Sequence, residues 1–145
     1  GHMELLRKPA GSEWILTPHW GEFRRLVRDD TFEPADKVRL AARFAKEWGC
    51  VLIMKGMPSV VGCPDGRVYV NATGNPGLAT AGTGDVLAGL LAGLLAQGLT
   101  PELAAVAGLH IGGAAADMYA ESRDPRTMIA TDLIELVPET VARRF

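Results

Sequence analysis

The chain has 145 residues, 48% of them hydrophobic, which is enough for one compact domain with a sizeable core and too little for two ordinary domains. Its formal net charge of -2 at pH 7 and its scattered basic residues offer no surface for polyanions, so we expect no nucleic-acid partner. The longest apolar run, residues 86–96, falls short of the roughly 18 residues that span a bilayer, so we also expect no membrane insertion.

The first half of the chain has the pattern of a strand-helix-strand unit. Residues 14–18 are a short apolar run that ends in proline and predicts a strand, and residues 21–28 carry apolar side chains at helical spacing. A second, amphipathic helix is predicted from Pro34 to residue 48, where Gly49 ends it. Residues 50–54 form a continuous apolar run, which is typical of a parallel strand that is buried on both faces.

The rest of the chain predicts a hairpin, a loop and three helices. Residues 59–63 and 67–70 flank Pro-Asp-Gly, a sequence that favours a tight reversal between antiparallel strands. Residues 71–81 are rich in Gly, Asn, Pro and Thr and predict a flexible loop without regular structure. The predicted helices are residues 83–97, which we expect to be buried, about 101–121, and about 131–144 with Thr131 and Asp132 as its cap.

The two cysteines, Cys50 and Cys63, lie in apolar strand-like segments and form no Cys-x-x-Cys pair. We interpret both as reduced thiols in the core, which suits a reducing compartment. The sequence therefore predicts a cytoplasmic protein.

The most informative segment is the glycine-rich loop that runs directly into the helix at residue 83. Gly82 and Gly84 allow a close approach of the backbone, and the free N–H groups of a helix start favour phosphate. Asp85 falls in the first helical turn, where its carboxylate can act as a base beside that phosphate. The alternative is that the glycines make a tight turn and Asp85 only caps the helix, as most isolated Gly-x-Gly-Asp strings do.

A longer string gives this segment a specific resemblance. Residues 71–89 read Asn-x-Thr-Gly-Asn-Pro-Gly-x-Ala-x-Ala-Gly-Thr-Gly-Asp-Val-Leu-Ala-Gly, which resembles the signature of the NAD(P)H-hydrate dehydratases. Residues 16–23 contain Thr-Pro-His-Trp-Gly-Glu and are similar to that family's Thr-Pro-His-x-Gly-Glu loop. Residues 55–59, Lys-Gly-Met-Pro-Ser, are similar to its Lys-Gly nucleotide segment, and residues 128–133 resemble its closing helix.

The resemblance implies a ribokinase-like three-layer α/β/α fold and an enzyme, a hydro-lyase that uses ADP or ATP and Mg²⁺ to return (S)-NAD(P)H hydrate to NAD(P)H. It implies that the hydroxyl of the hydrate is phosphorylated and that phosphate is then eliminated. Asp85 would be the general base and would contact the substrate together with His19 and Asn75. Glu22 would act near magnesium, through water. The implied nucleotide-binding residues are Lys55, Gly56, Met57, Pro58, Ser59, Gly82, Thr83 and Gly84.

The same residues also admit less specific interpretations. His19 can be an ordinary loop histidine, and Lys55 can cap the end of a strand. Two other functions stay open: a ribokinase-like kinase of a sugar or vitamin precursor, and a nucleotide-binding module without activity. The family often has a histidine where this chain has Gly112, so one minor contact of the family is not expected here. We interpret the nearby His110 as structural.

The resemblance also implies that the full domain is longer than this chain. We interpret residues 1–3, Gly-His-Met, as a cloning remnant and residues 4–145 as the C-terminal half of the domain. Strands that precede this half in the family are absent, so residues 14–18 would form an exposed sheet edge. Because such edges recruit other chains, we expect a homo-oligomer.

Overall fold

The computed structural model describes residues 11–144. Residues 1–3, which we interpret as a cloning remnant, lie outside the described residues. The chain divides into two compact units at the junction of Val70 and Asn71. The first unit contains the described strands and two helices, and the second contains the three remaining helices.

The first unit is built on a sheet of four strands in the order β1-β2-β3-β4. The strands are β1 (Ile15–Leu16), β2 (Val51–Met54), β3 (Val60–Gly62) and β4 (Val68–Val70). β1 and β2 run parallel, with Ile15 opposite Val51, and the pairs β2–β3 and β3–β4 are antiparallel. All four residues of β2 are buried, as the continuous apolar run predicted. The strand-helix-strand unit and the hairpin are both confirmed.

Two helices complete the first unit. Helix α1 (Trp20–Val27) ends at Arg28, whose φ is 54°, and helix α2 (Lys37–Trp48) ends at Gly49, whose φ is 62°. A 3₁₀ turn at Pro34–Asp36 precedes α2. The apolar faces meet in an aromatic cluster in which the rings of Phe23 and Phe44 lie edge to face, with centroids 5.2 Å apart.

The second unit consists of helices α3 (Thr83–Ala96), α4 (Pro101–Ala120) and α5 (Ala130–Arg144). α4 is its centre, because most of the side chains between Ala104 and Tyr119 are buried. The length and composition of α4 would allow it to cross a membrane. However, 61% of an apolar stretch of 18 residues in α4 is buried inside the protein, and the core helix of a soluble protein can have the same length and composition. Thr100 caps α4 by accepting a hydrogen bond from the Leu103 N–H.

Three details of the second unit differ from the sequence expectations. α3 is apolar along its length, yet only Leu91 is buried, so the expectation of a buried helix was wrong. The loop 71–81 contains a 3₁₀ turn at Pro76–Ala79 and is held by side-chain hydrogen bonds rather than free. α5 begins at Ala130, one residue before the expected cap, and the Asp132 carboxylate accepts the Ile129 N–H at 2.9 Å.

Candidate functional site

The parallel pairing of β1 and β2 brings two of the expected site residues to the same end of the sheet. His19 and Lys55 follow these strands and form a parallel bridge, in which the Lys55 N–H donates to the Pro18 carbonyl at 2.9 Å. In sheets of this type ligands bind beyond the carboxyl ends of the strands. The register of the sheet therefore places His19 and Lys55 where a ligand would be expected.

His19 is the N-terminal cap of α1, and it is paired reciprocally with Glu22. The Glu22 N–H donates to His19 Nδ1 at 3.2 Å, and the His19 N–H donates to Glu22 Oε2 at 2.7 Å. These two bonds form a capping box, which fixes both side chains against the first turn of the helix. The His19 side chain remains 53% exposed, so the capping role leaves much of the ring open to a ligand.

The Glu22 carboxylate lies in a positive environment. Its pKa is lowered from the usual 4.5, mainly by the hydrogen bond from the His19 backbone and further by the charges of Lys55, His19 and Arg25. Lys55 Nζ is 3.8 Å from Glu22 Oε2. Glu22 is consequently ionised at neutral pH, and His19, Glu22 and Lys55 form a polar cluster, here called the strand-end cluster.

The segment 55–59 that follows β2 is a tight, internally bonded loop. The Ser59 hydroxyl accepts the Gly56 N–H at 3.2 Å and lies 2.9 Å from the Gly56 carbonyl, to which it donates. Gly56 has a φ of 147°, and the Met57-Pro58 peptide bond is cis. Met57 is exposed, whereas Ser59 is half-buried.

Lys37, at the start of α2, also holds this loop and was not predicted from the sequence. Its ammonium donates to the Pro58 carbonyl at 2.9 Å, and partial burial lowers the pKa of Lys37. The contact joins residues 21 positions apart. No local pattern could have indicated it, because lysine in the first turn of an amphipathic helix is ordinarily a solvated residue.

The glycine-rich segment forms the expected helix start in the second unit. Gly82 caps α3 with a φ of 89°, which favours glycine, and the Asp85 N–H donates to its carbonyl at 3.0 Å. Within residues 11–144 the Gly84 N–H has no backbone acceptor, as is usual in the first turn of a helix. The Asp85 side chain is exposed beside this positive helix end. The Asp85 carboxylate is thus accessible to a group bound at the helix start.

Thr83 and Asn75 are engaged within the protein. The Thr83 hydroxyl lies 2.7 Å from the Leu78 carbonyl and 2.9 Å from the Thr80 carbonyl. Asn75 Nδ2 donates to the Ala116 carbonyl at 2.8 Å, and Asn75 Oδ1 accepts the Gly77 N–H at 3.0 Å. The substrate contact expected of Asn75 stays a prediction, and the structure gives this side chain a role in holding the loop.

A carboxylate that was not predicted from the sequence holds the same loop. Asp117, on α4, accepts the Gly74 N–H at 2.8 Å and Asn75 Nδ2 at 3.1 Å. In the sequence, Asp117 is the single carboxylate of the Ala- and Gly-rich stretch 104–120, and this isolation is the feature that could have indicated a hydrogen-bonded residue. Such a residue is costly in a buried helix unless it is hydrogen-bonded.

Among the described residues, no group of three or more His, Cys, Asp or Glu side chains could hold a metal ion. The expected magnesium residue Glu22 is a single exposed carboxylate with a lysine beside it. Such a residue suits a hydrated Mg²⁺ that is held mainly by phosphate oxygens and water. The site residues therefore form two groups, the strand-end cluster with loop 55–59 in the first unit and the start of α3 in the second.

A model of the NAD(P)H-hydrate dehydratase family matches residues 4–139. A bifunctional NAD(P)H-hydrate repair enzyme from Salinibacter ruber is 51% identical over all of this chain, which covers 27% of that protein. The ADP-dependent (S)-NAD(P)H-hydrate dehydratase of Bacillus subtilis is 36% identical over 90% of this chain and 48% of its own length. The chain thus spans between about a quarter and about half of these relatives.

Solved structures show the same relationship. The ADP/ATP-dependent NAD(P)H-hydrate dehydratase of Bacillus subtilis, co-crystallised with ATP and Mg²⁺, superposes with a TM-score of 0.86 at 33% identity. The match covers 90% of this chain and 48% of that one. A ribokinase-like protein from Enterococcus faecalis superposes with a TM-score of 0.75 at 27% identity, over 98% of this chain and 49% of that one. These matches confirm the ribokinase-like α/β fold.

Proposed function

Since the chain belongs to the NAD(P)H-hydrate dehydratase family, we propose that it carries the general base and the nucleotide-phosphate site for the ADP- or ATP-dependent dehydration of (S)-NAD(P)H hydrate. One observation carries this proposal: an exposed carboxylate, Asp85, lies in the first turn of α3 directly after Gly82 and Gly84. A base and an anion site on one helix end are the two elements that phosphoryl transfer to a hydroxyl requires.

The role of Asp85 follows from its place on the helix. Its carboxylate removes the proton of the substrate hydroxyl while that oxygen forms a bond to the terminal phosphorus of the nucleotide, whose bond to the bridging oxygen breaks. The helix end stabilises the negative charge on the transferring group. The C–O bond of the phosphorylated hydrate then breaks with loss of phosphate, and a proton leaves the neighbouring carbon, so NAD(P)H is restored.

The strand-end cluster binds and orients in this proposal. His19 contacts the hydrated nicotinamide, and residues 55–59 with the Lys55 ammonium line the nucleotide site. Glu22 would hold Mg²⁺ through the hydration shell of the ion, and the ion would neutralise charge on the nucleotide phosphates. The low pKa of Glu22 supports that role, because an ionised carboxylate is required.

Recovery of the reduced-nicotinamide absorbance tests the reaction directly. The protein is mixed with hydrated NADH, Mg²⁺ and either ADP or ATP, and the absorbance of NADH is followed. Recovery with phosphate release supports the proposal. A product that keeps its phosphate would make the protein a small-molecule kinase, and nucleotide binding without any turnover would make it an inactive binding module.

The Asp85→Asn variant tests the base. It keeps the shape and the capping ability of the side chain but removes the basic carboxylate, so turnover should fall by roughly 10²-fold or more. The affinity for ADP should hold or rise slightly, because one negative charge beside the phosphates is removed. Glu121→Gln, which changes an exposed carboxylate just after α4, is the matched control and should leave turnover unchanged. Full activity of Asp85→Asn would reduce Asp85 to a cap.

We also propose that the chain self-associates through the β1 edge. In the described sheet β1 has one neighbour, β2, and it is only two residues long. An uncovered strand edge offers free backbone groups to a second chain. Light scattering over a wide concentration range should show a species larger than a monomer, and a monomer throughout would refute this association.

A cytoplasmic location is the last part of the proposal. Cys50 and Cys63 are both reduced thiols in buried positions, which suits a reducing compartment. Fractionation of the source cells, with antibodies against the protein, would locate it. Recovery outside the cytoplasm would contradict the proposal.

A further inference from the structure

Asp117, on α4, contacts the glycine-rich loop and has no place in the chemistry described above. It lies on α4 next to Ala114, Ala115 and Ala116, all of which are 0% exposed. Its two carboxylate oxygens accept different donors of the loop, the Gly74 N–H and the Asn75 side-chain amide. A carboxylate among buried alanines costs little free energy of folding only when such donors satisfy its hydrogen-bonding capacity.

The loop is held against α4 at further points that precede Asp117 on the helix. The Thr73 hydroxyl lies 3.1 Å from the His110 carbonyl, and Asn75 Nδ2 donates to the Ala116 carbonyl. Gly113 has no side chain where the loop passes, and a Cβ there would lie 2.3 Å from Thr73 Oγ1. Residues 73–75 are therefore fixed on the surface of α4.

Short hydrogen-bonded steps connect the residues that Asp117 holds, Gly74 and Asn75, to the start of α3. Asn75 Oδ1 accepts the Gly77 N–H, which begins the 3₁₀ turn Pro76–Ala79. The Thr83 hydroxyl then bonds to the carbonyls of Leu78 and Thr80. These bonds join residues two to five positions apart, so they connect the residues that Asp117 holds with the start of α3.

We propose that Asp117 is a positioning residue for the start of α3. By holding Gly74 and Asn75 it fixes the loop that determines where residues 82–85 lie, and it acts through them without touching the reacting atoms. This inference rests on the proposed function, in which those residues hold phosphate and the base. Precise placement matters there, because a displacement of about 1 Å can cost about 10²-fold in rate.

The Asp117→Asn variant tests the inference with two measurements. Asparagine can accept only one of the two bonds and places an NH₂ group against the other donor. We expect altered amide NMR shifts at residues 82–85, well beyond the direct contacts. Hydrogen exchange should become at least tenfold faster at Asp85 and Val86, whose N–H groups donate to the Gly82 carbonyl. In protein with turnover, kcat should fall at least tenfold while KM for ADP changes less than threefold. A role confined to local structure would alter only residues 73–77 and would leave kcat in place.

A matched control makes the result specific. Glu121→Gln removes a carboxylate just beyond the same helix and should change neither measurement. The inference is overturned if the amide changes of Asp117→Asn stop before residue 82, or if Glu121→Gln changes residues 82–85 to the same extent.

A second pair of variants keeps the test decisive if Asp117→Asn does not fold. Thr83→Val removes the hydroxyl at the far end of the connection, and Thr83→Ser keeps it. The shifts of the Gly74 and Asn75 amides should change in Thr83→Val and not in Thr83→Ser, and equal behaviour would overturn the inference. If the wild-type protein has no turnover, the proposed function fails, whereas the amide measurements still decide the role of Asp117.

Discussion

Gly112 and Gly113 allow the contact between α4 and the glycine-rich loop to be measured with a matched pair of substitutions. A Cβ on Gly113 would lie 2.3 Å from Thr73 Oγ1 and 2.8 Å from both the carbonyl carbon and oxygen of Thr73. A Cβ on Gly112 would meet nothing within 4 Å. Both residues lie inside α4, so Gly→Ala has the same intrinsic effect on the helix at both positions. The difference between the variants isolates the contact with the loop.

The magnitudes follow from three contributions. Replacing a helical glycine by alanine stabilises by up to about 1 kcal/mol at either position. At Gly113 the overlap with backbone atoms should cost about 1–3 kcal/mol, and loss of the Thr73 hydroxyl bond about 1 kcal/mol more. Gly113→Ala should therefore be about 1–3 kcal/mol less stable than the wild type, and Gly112→Ala slightly more stable. The two variants should differ by about 2–4 kcal/mol.

Urea unfolding followed by far-ultraviolet circular dichroism measures this difference. The two variants should move the midpoint in opposite directions with the slope of the transition unchanged, because the slope reports the surface exposed on unfolding. The reasoning is refuted if both variants shift the midpoint alike, since the loop would then not be pressed against Gly113.

Two further predictions concern the strand-end cluster and the nucleotide site. Because the pKa of Glu22 is lowered below 4.5 in the folded protein, the ionised form stabilises the fold above that pH, and the contribution is lost as the pH falls through the folded pKa. The stability difference between wild type and Glu22→Gln should thus shrink from neutral pH to about pH 3 in thermal unfolding, and a difference independent of pH would contradict it. Gly84→Val should weaken ADP binding in calorimetry by at least about tenfold, because a branched side chain blocks the approach to the helix start. The control Gly89→Ala adds a methyl group in open space on α3 and should bind ADP normally.

The local pattern of the sequence was sufficient for most of the secondary structure. Helices α1, α2, α3 and α4 begin and end within a few residues of the positions that apolar spacing, proline and glycine predicted, and the hairpin lies where Pro-Asp-Gly stands. These features depend on neighbours a few positions apart, which is why one sequence suffices to find them. The start of α5 was displaced by one residue, because Asp132 accepts the Ile129 N–H from within the first turn.

The residues of the candidate site were also predictable from the sequence only in part. The string from Asn71 to Gly89 identified the family and pointed to Asp85 without any structure, because the motif is contiguous. The sequence could not show that His19 and Glu22 form a capping box or that Lys55 lies beside them, since the parallel register of β1 and β2 brings these residues together.

Only the tertiary structure revealed the residues that hold the site in place. Lys37 contacts Pro58 across 21 positions, and Asp117 contacts Gly74 across 43. A carboxylate in an alanine-rich helix has the same local pattern whether it faces water or a loop. The donor that satisfies it comes from a distant segment and meets it only when the helix and the loop pack. The sequence by itself therefore predicted most of the elements and the chemistry that we propose for the site, and packing determined which side chains contact its loops.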